Sequence, residues 1–240
     1  MTRQIGIITE STIFRYLLLF LLFIYLAFDR DLANIYMLMI LADYVWYRTD
    51  LIAGNKKTDL PTEHTATNRY QAVASAIIAF AVLLVVTQIA FNASTETASI
   101  ANFQSIIVIL ASATPILKGS IILTVLGWGF LASTVETRFF FGRVFEGLAY
   151  SYEELTGEKI SLNKFTVRTV ILMAFVAGLF TLFHITAKHL SDVALIITFI
   201  FAMISMVLVV RDQELKSSIL LHIITNTIAV LASLKLLGLG

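Results

Sequence analysis

Tyr16 to Phe28 contains no charged residue, and comparable apolar runs recur at Leu32 to Tyr47, Gln71 to Phe91, Asn102 to Val135, Thr169 to Ala187, Val193 to Val210 and Ser217 to Leu234. A helix needs about 20 apolar residues to cross a bilayer, fewer where flanking polar groups reach back to the interface. In lipid every backbone N–H and C=O must be satisfied within the protein, which leaves the helix as the element for such runs. The sequence therefore predicts an all-α, polytopic membrane helix bundle of seven or eight transmembrane helices, with residues 1–240 forming a single integral membrane domain. The count turns on Asn102 to Val135, which is either one long tilted helix or two spans. Pro115, Lys118 and Gly119 favour a break, because proline inside a helix removes a hydrogen bond and clashes with the preceding turn.

Composition supports the same class. Hydrophobic residues make up 58% and charged residues 14%, against roughly 45–50% and about 25% in soluble domains. The first run is expected to be retained as a span rather than cleaved as a signal peptide, since Glu10 precedes it and no small-residue cleavage site follows. With a single span at Asn102 to Val135 and the N-terminus inside, most of the 17 Lys and Arg fall on the cytoplasmic side. Two spans there invert the later segments and remove the bias, so orientation stays open, with a cytoplasmic N-terminus preferred. The expected location is the cell membrane, multi-pass, with the lipid bilayer as the first partner. A net charge of +1 provides no basic footprint for nucleic acid. The absence of cysteine excludes disulfides, thiolate metal sites and a cysteine nucleophile.

Ionisable groups inside spans are costly and by default functional. Glu136 heads the string ETRFFFGR, His184 closes FTLFH, and His222 opens HIITN, in which Asn226 lies one helical turn on and shares its face. Asp43 also lies in a predicted span, without a partner motif, and is expected to cap a helix or bond across helices. Each is weak alone. Together, a glutamate, two histidines and an asparagine on three helices make a set suited to hydrolysis by activated water. It holds a base for the water proton, an imidazole to hold that water or a metal, and neutral donors for an oxyanion.

The order E-T-x-x-F-F-G from Glu136, F-x-x-x-H from Phe180 and H-x-x-x-N from His222 resembles the three motifs of the CAAX protease and bacteriocin-processing family. These are intramembrane endopeptidases that include the type II prenyl-protein protease. The family pattern reads EExxxR, FxxxH and HxxxN or HxxxD on three helices of an eight-helix membrane fold. The resemblance covers Glu136 to the C-terminus. It implies Glu136 as the water-activating base, His184 as its partner in holding the nucleophile, and His222 with Asn226 as oxyanion stabilisers. The implied substrate is a membrane-tethered protein or peptide. Two positions depart: Thr137 replaces the second glutamate, and Phe141 occupies the arginine position. Arg143, seven residues after Glu136, is expected on nearly the same helical face and could take over an orienting role. A non-catalytic scaffold or immunity protein of the same fold is the alternative function; a small-molecule transporter is a third, against which stands the lack of an inverted repeat of broken helices. His184 and His222, with Glu136, could hold one divalent metal such as zinc with water in the fourth position, and the chain has no HExxH. Metal dependence stays open.

Depth sets a further constraint. If the Glu136 helix stopped at Val135 and the next span ran antiparallel, Glu136 and His184 would be separated by roughly 20 Å along the membrane normal at about 1.5 Å per residue. A shared site therefore requires one helix from about residue 120 to 147, with Glu136 well inside, Arg138 and Arg143 drawn in beside it, and one of them paired with a carboxylate.

Overall fold

A computed structural model describes residues 17, 20–21, 37–45, 69–93, 125–188 and 192–236. These are all-helical apart from short links, with no strand among them. The span expected at Tyr16 to Phe28 and the break expected near Pro115, Lys118 and Gly119 lie largely or wholly outside the described residues.

Helix α1 covers 37–45 and α2 covers Arg69–Ala93. Helix α3 is a continuous helical rod made of four pieces, Val125–Ala132, Ser133–Glu136, Thr137–Val144 and Phe145–Thr156, the first and third of them π-helical. It is followed by α4 at Val167–Lys188, α5 at Asp192–Asp212 and α6 at Lys216–Leu236. Among the described residues, three helices have stretches long and apolar enough to cross a membrane: Tyr70–Thr87 in α2, Val167–His184 in α4 and Ala194–Asp212 in α5, with a shorter apolar stretch at Lys216–Leu231 in α6. These fit a membrane protein.

What separates inside from outside on these helices is size as much as polarity. On α2, Ala72, Ala76, Ala79 and Leu83 are buried, while Ile77, Ile78, Val82 and Val85 are exposed. Small residues on the inner stripe let backbones approach, and bulky aliphatic groups outside suit a lipid surface. Helices α3 and α6 use the same device, because a Cβ on Gly129 would lie 2.5 Å from Thr227 Oγ1. That close approach sets an antiparallel register in which Ser133 of α3 meets Asn226 of α6, and Thr137 meets His222.

The ends are defined by ordinary chemistry. Gly157, at φ 71°, ends α3 in the left-handed conformation, its N–H donating to Glu153 O at 2.8 Å. Thr166 caps α4, its Oγ1 accepting from the Thr169 backbone N–H at 3.1 Å. The core between the helices is rich in phenylalanine: Phe139, Phe140, Phe141, Phe145, Phe180 and Phe183 are almost completely enclosed.

Candidate active site

Glu136 sits mid-way along α3, where α-helical geometry separates the two π-helical stretches, and is 0% exposed. The helix runs on through Gly142 to Thr156, so the charged string ETRFFFGR does not end the helix. Helices α3, α4 and α6 bring three ionisable side chains together. His184 Nε2 of α4 lies 3.6 Å from Glu136 Oε2, and His222 Nε2 of α6 lies 3.5 Å from the same oxygen. Both separations exceed a direct hydrogen bond. Both histidines are buried.

The far nitrogen of each ring is also held. His184 Nδ1 is 2.8 Å from the carbonyl oxygen of Phe180, one turn back on its own helix. A carbonyl only accepts, so Nδ1 carries the proton, and in the neutral ring Nε2 presents a lone pair toward Glu136. A lone pair facing a carboxylate requires hydrogen between them. His222 Nδ1 is 3.0 Å from Thr137 Oγ1, a hydroxyl that can either donate or accept.

Phenylalanines wall the group. Phe180, whose backbone orients His184, has its ring 4.3 Å from the His184 ring and 5.9 Å from that of His222. It packs also on Phe140 at 5.4 Å and on Phe141 at 5.0 Å. Phe201 of α5 meets the His222 ring edge-on at 4.8 Å. Such packing holds both imidazoles in fixed orientations within a low-dielectric surround.

The sequence expectations meet this geometry unevenly. Glu136, His184 and His222 are brought together. Asn226 is turned to α3, its Nδ2 donating to Ser133 Oγ at 3.0 Å and facing Trp128 O at 3.5 Å. Arg143 is directed away from an orienting role on Glu136: its Nε donates to Asp43 Oδ1 on α1 at 2.7 Å. The cause is the π-helical segment between them. With i→i+5 bonding each turn takes more than four residues, so a seven-residue spacing no longer returns to one face. Arg143 thus has its carboxylate partner, and Asp43 makes the expected interhelical bond. Arg138, expected to be drawn inward, is exposed. It lies two residues from Glu136, and side chains two apart on a helix do not share a face.

Four contributors were not singled out from sequence. Thr137 counted there only as a lost acid, yet its hydroxyl is the partner of His222 Nδ1. Phe141, counted as a lost arginine, fills the wall against Phe180. Ser133 lies one turn before Glu136, a spacing that could have flagged it. Phe201 belongs to an apolar run without any mark.

Among the described residues no group of three or more His, Cys, Asp or Glu side chains has the arrangement of a metal site.

Residues 118–228 match the family model of the Rce1-like proteins, type II CAAX prenyl endopeptidase Rce1-like. The matched segment includes all three motifs. No curated protein and no solved structure matches the chain.

Proposed function

We propose that the Rce1-like domain of this chain is an intramembrane endopeptidase, hydrolysing a peptide bond of a membrane-associated protein or peptide with water activated at Glu136. One observation carries the reading: a fully buried carboxylate is faced by the Nε2 atoms of two histidines, each from a different helix, at 3.5 and 3.6 Å. The family match supports the reaction class. The whole protein in this reading is one domain of seven or eight membrane helices, in the cell membrane.

The chemistry follows from donors and acceptors. Neutral His184 and ionised Glu136 are both acceptors toward one another, and a water satisfies both by donating one hydrogen to each. As its oxygen attacks the substrate carbonyl, the proton passes to Glu136, and His184 keeps the other hydrogen bonded so that the lone pair points at carbon. Glu136 then delivers that proton to the leaving amine. For His222 to stabilise the oxyanion its Nε2 must carry hydrogen, which leaves Nδ1 as an acceptor and assigns the Thr137 hydroxyl as the donor. A glutamate at 137 would act as an acceptor when ionised, so threonine here selects the neutral ring with hydrogen on Nε2. Asn226 holds α6 to α3 through Ser133. Its second N–H, at the long 3.5 Å from Trp128 O, is the one able to turn to an oxyanion.

The test is cleavage of a membrane-tethered peptide library by purified protein in liposomes, with Glu136→Gln as control and with a zinc chelator in a parallel arm. Cleavage should occur, vanish in the variant and survive the chelator. Absence of cleavage across the library, or equal cleavage by a folded Glu136→Gln protein, rejects the proposal.

A further inference from the structure

Contacts between α3 and α6 run in antiparallel order past the site: Gly129 with Thr227, Ser133 with Asn226, Thr137 with His222, and Gly142 with Leu215. The last of these lies at the connection between α5 and α6, residues 213–215. A Cβ on Gly142 would meet Leu215 Cδ1 at 3.1 Å, so the leucine is seated against the backbone of α3. The carbonyl of Leu215 accepts from the Ile219 N–H at 2.8 Å, which makes the residue part of the first turn of α6. Seven residues separate it from His222. That is two helical turns, so both lie on nearly the same face, about 10 Å apart.

Two residues before Leu215, Gln213 has φ 57°, the left-handed conformation in which a helix usually ends on glycine or asparagine. Other residues adopt it against a steric cost from Cβ. The backbone N–H of Gln213 donates to Val209 O at 2.9 Å and its side-chain Nε2 donates to Val210 O, both in the last turn of α5. The same Nε2 donates to Leu162 O at 3.2 Å, in the link between α3 and α4. Both side-chain partners are carbonyls, which fixes the amide with its N–H groups toward them. The neighbouring polar contacts, Glu214 with Lys216 and Ser217 with Asp212, stay within the α5–α6 hairpin. That of Gln213 leaves it.

The link it reaches is anchored to α4. Ser161 O, one residue before Leu162, accepts from Thr169 Oγ1 at 2.9 Å; Thr169 is 0% exposed, and Ile160 and Leu162 are buried. Residues 213–215 therefore touch α4 by way of the link, through Gln213, and touch α3 through Leu215. Those are the helices of His184 and Glu136, and the connection itself starts the helix of His222. We infer that Gln213 is a positioning residue for His222: by tying the start of α6 to the α3–α4 link it keeps Leu215 seated on Gly142, and with it the depth at which His222 Nε2 faces Glu136. The effect on rate rests on the hydrolase reading; the placement of the ring does not.

Two variants separate placement from stability. Gln213→Met keeps the length of the side chain and removes its donors, whereas Gln213→Gly removes the side chain and relaxes the backbone at positive φ. The chain has four histidines, so the ring-nitrogen NMR signals of histidine-labelled protein are few, and that of His222 is the one missing from His222→Ala. In both Gln213 variants this signal should move, because the contact of His222 Nδ1 with Thr137 shifts. In the cleavage assay each variant should lower kcat about tenfold with KM unchanged, since a misplacement of about 1 Å can cost about 10²-fold. Leu215→Ala, which empties the seat on Gly142, should displace the same signal, and an unmoved signal there overturns the seating on which the inference depends. A residue that only stabilises the fold would lower the thermal midpoint and leave the His222 signal where it is. That result in the folded Gln213 variants overturns the inference, and so does a wild-type kcat. A displaced signal in a chain that cleaves nothing upholds the placement and rejects only the hydrolase reading.

Discussion

Helices α3 and α4 approach the same carboxylate by opposite designs. Helix α4 is a regular helix from a threonine cap to Lys188, apolar throughout its span, and its one ionisable side chain at the site, His184, is oriented by the carbonyl one turn before it. Helix α3 changes hydrogen-bond pattern three times and carries Ser133, Glu136, Thr137, Arg138 and Arg143 within eleven positions of one another, with Glu136, Thr137 and Ser133 enclosed and Arg138 exposed. A π-helical segment adds residues to a turn, so polar neighbours can be sent in different directions over a short length. The difference teaches that one helix can serve as a fixed wall for a histidine, while the helix bearing the acid needs local irregularity to sort its charges.

The largest expected effects test whether both helices are chemically necessary. Glu136→Gln on α3, His184→Ala on α4 and His222→Ala on α6 should each abolish cleavage while expression and folding persist, because members of a set acting as a unit fail singly. Cleavage rates in liposomes decide this. Activity within a few-fold of wild type for His184→Ala would reduce α4 to packing.

Next in size is Asn226→Ala, expected to cost about 10²–10³ in kcat, the range for loss of one oxyanion donor. A residue acting only through its bond to Ser133 gives a different pattern: Ser133→Ala would then reproduce the loss. The proposal expects Ser133→Ala to be clearly milder, which sharpens the contrast between a group on α6 that reaches the reaction and one on α3 that holds it.

A smaller loss is expected at Thr137. Thr137→Val keeps the shape and removes the hydroxyl, and should lower kcat roughly fivefold, in line with one buried hydrogen bond of about 1 kcal/mol. Thr137→Ser should restore the rate. If Val and Ser variants behave alike, the hydroxyl does not set the His222 ring, and the polar content of α3 at the site shrinks to Glu136.

These contrasts also explain what could be read without coordinates. Helices α2, α4, α5 and α6 announce themselves as apolar runs, and their inner residues at the site stand out because His184, His222 and Asn226 are polar in apolar text. The continuity of α3 past Val135 was demanded by depth alone: two groups sharing a water cannot lie at opposite membrane faces. Which way Arg143 points was not accessible, because a spacing of seven was read with the α-helical period and the segment is π-helical. The partner of His222 was hidden for another reason. Thr137 is an unremarkable residue type whose role exists only through an α3–α6 register set by the close approach at Gly129.

The smallest expected effect belongs to the ion pair between Arg143 and Asp43. It joins α3 to α1 at 2.7 Å, with the two side chains 22% and 26% exposed. Partial exposure screens such a pair, and exposed pairs contribute about 0–1 kcal/mol. Asp43→Asn keeps the shape and a hydrogen-bond acceptor for the guanidinium, so its thermal midpoint should fall only slightly and cleavage should stay within a few-fold of wild type. Arg143→Ala should be worse than Asp43→Asn, since it removes the guanidinium whose Nε donates to the half-buried Asp43 carboxylate. Charge reversal of both residues, Asp43→Arg with Arg143→Asp, should recover part of that stability if the pair is a tether. The comparison between α3 and α4 stands or falls with this as well. An Asp43→Asn protein that folds normally but loses all cleavage would mean that Arg143 reaches the chemistry after all, and that the π-helical segment directs both of its ends toward the site.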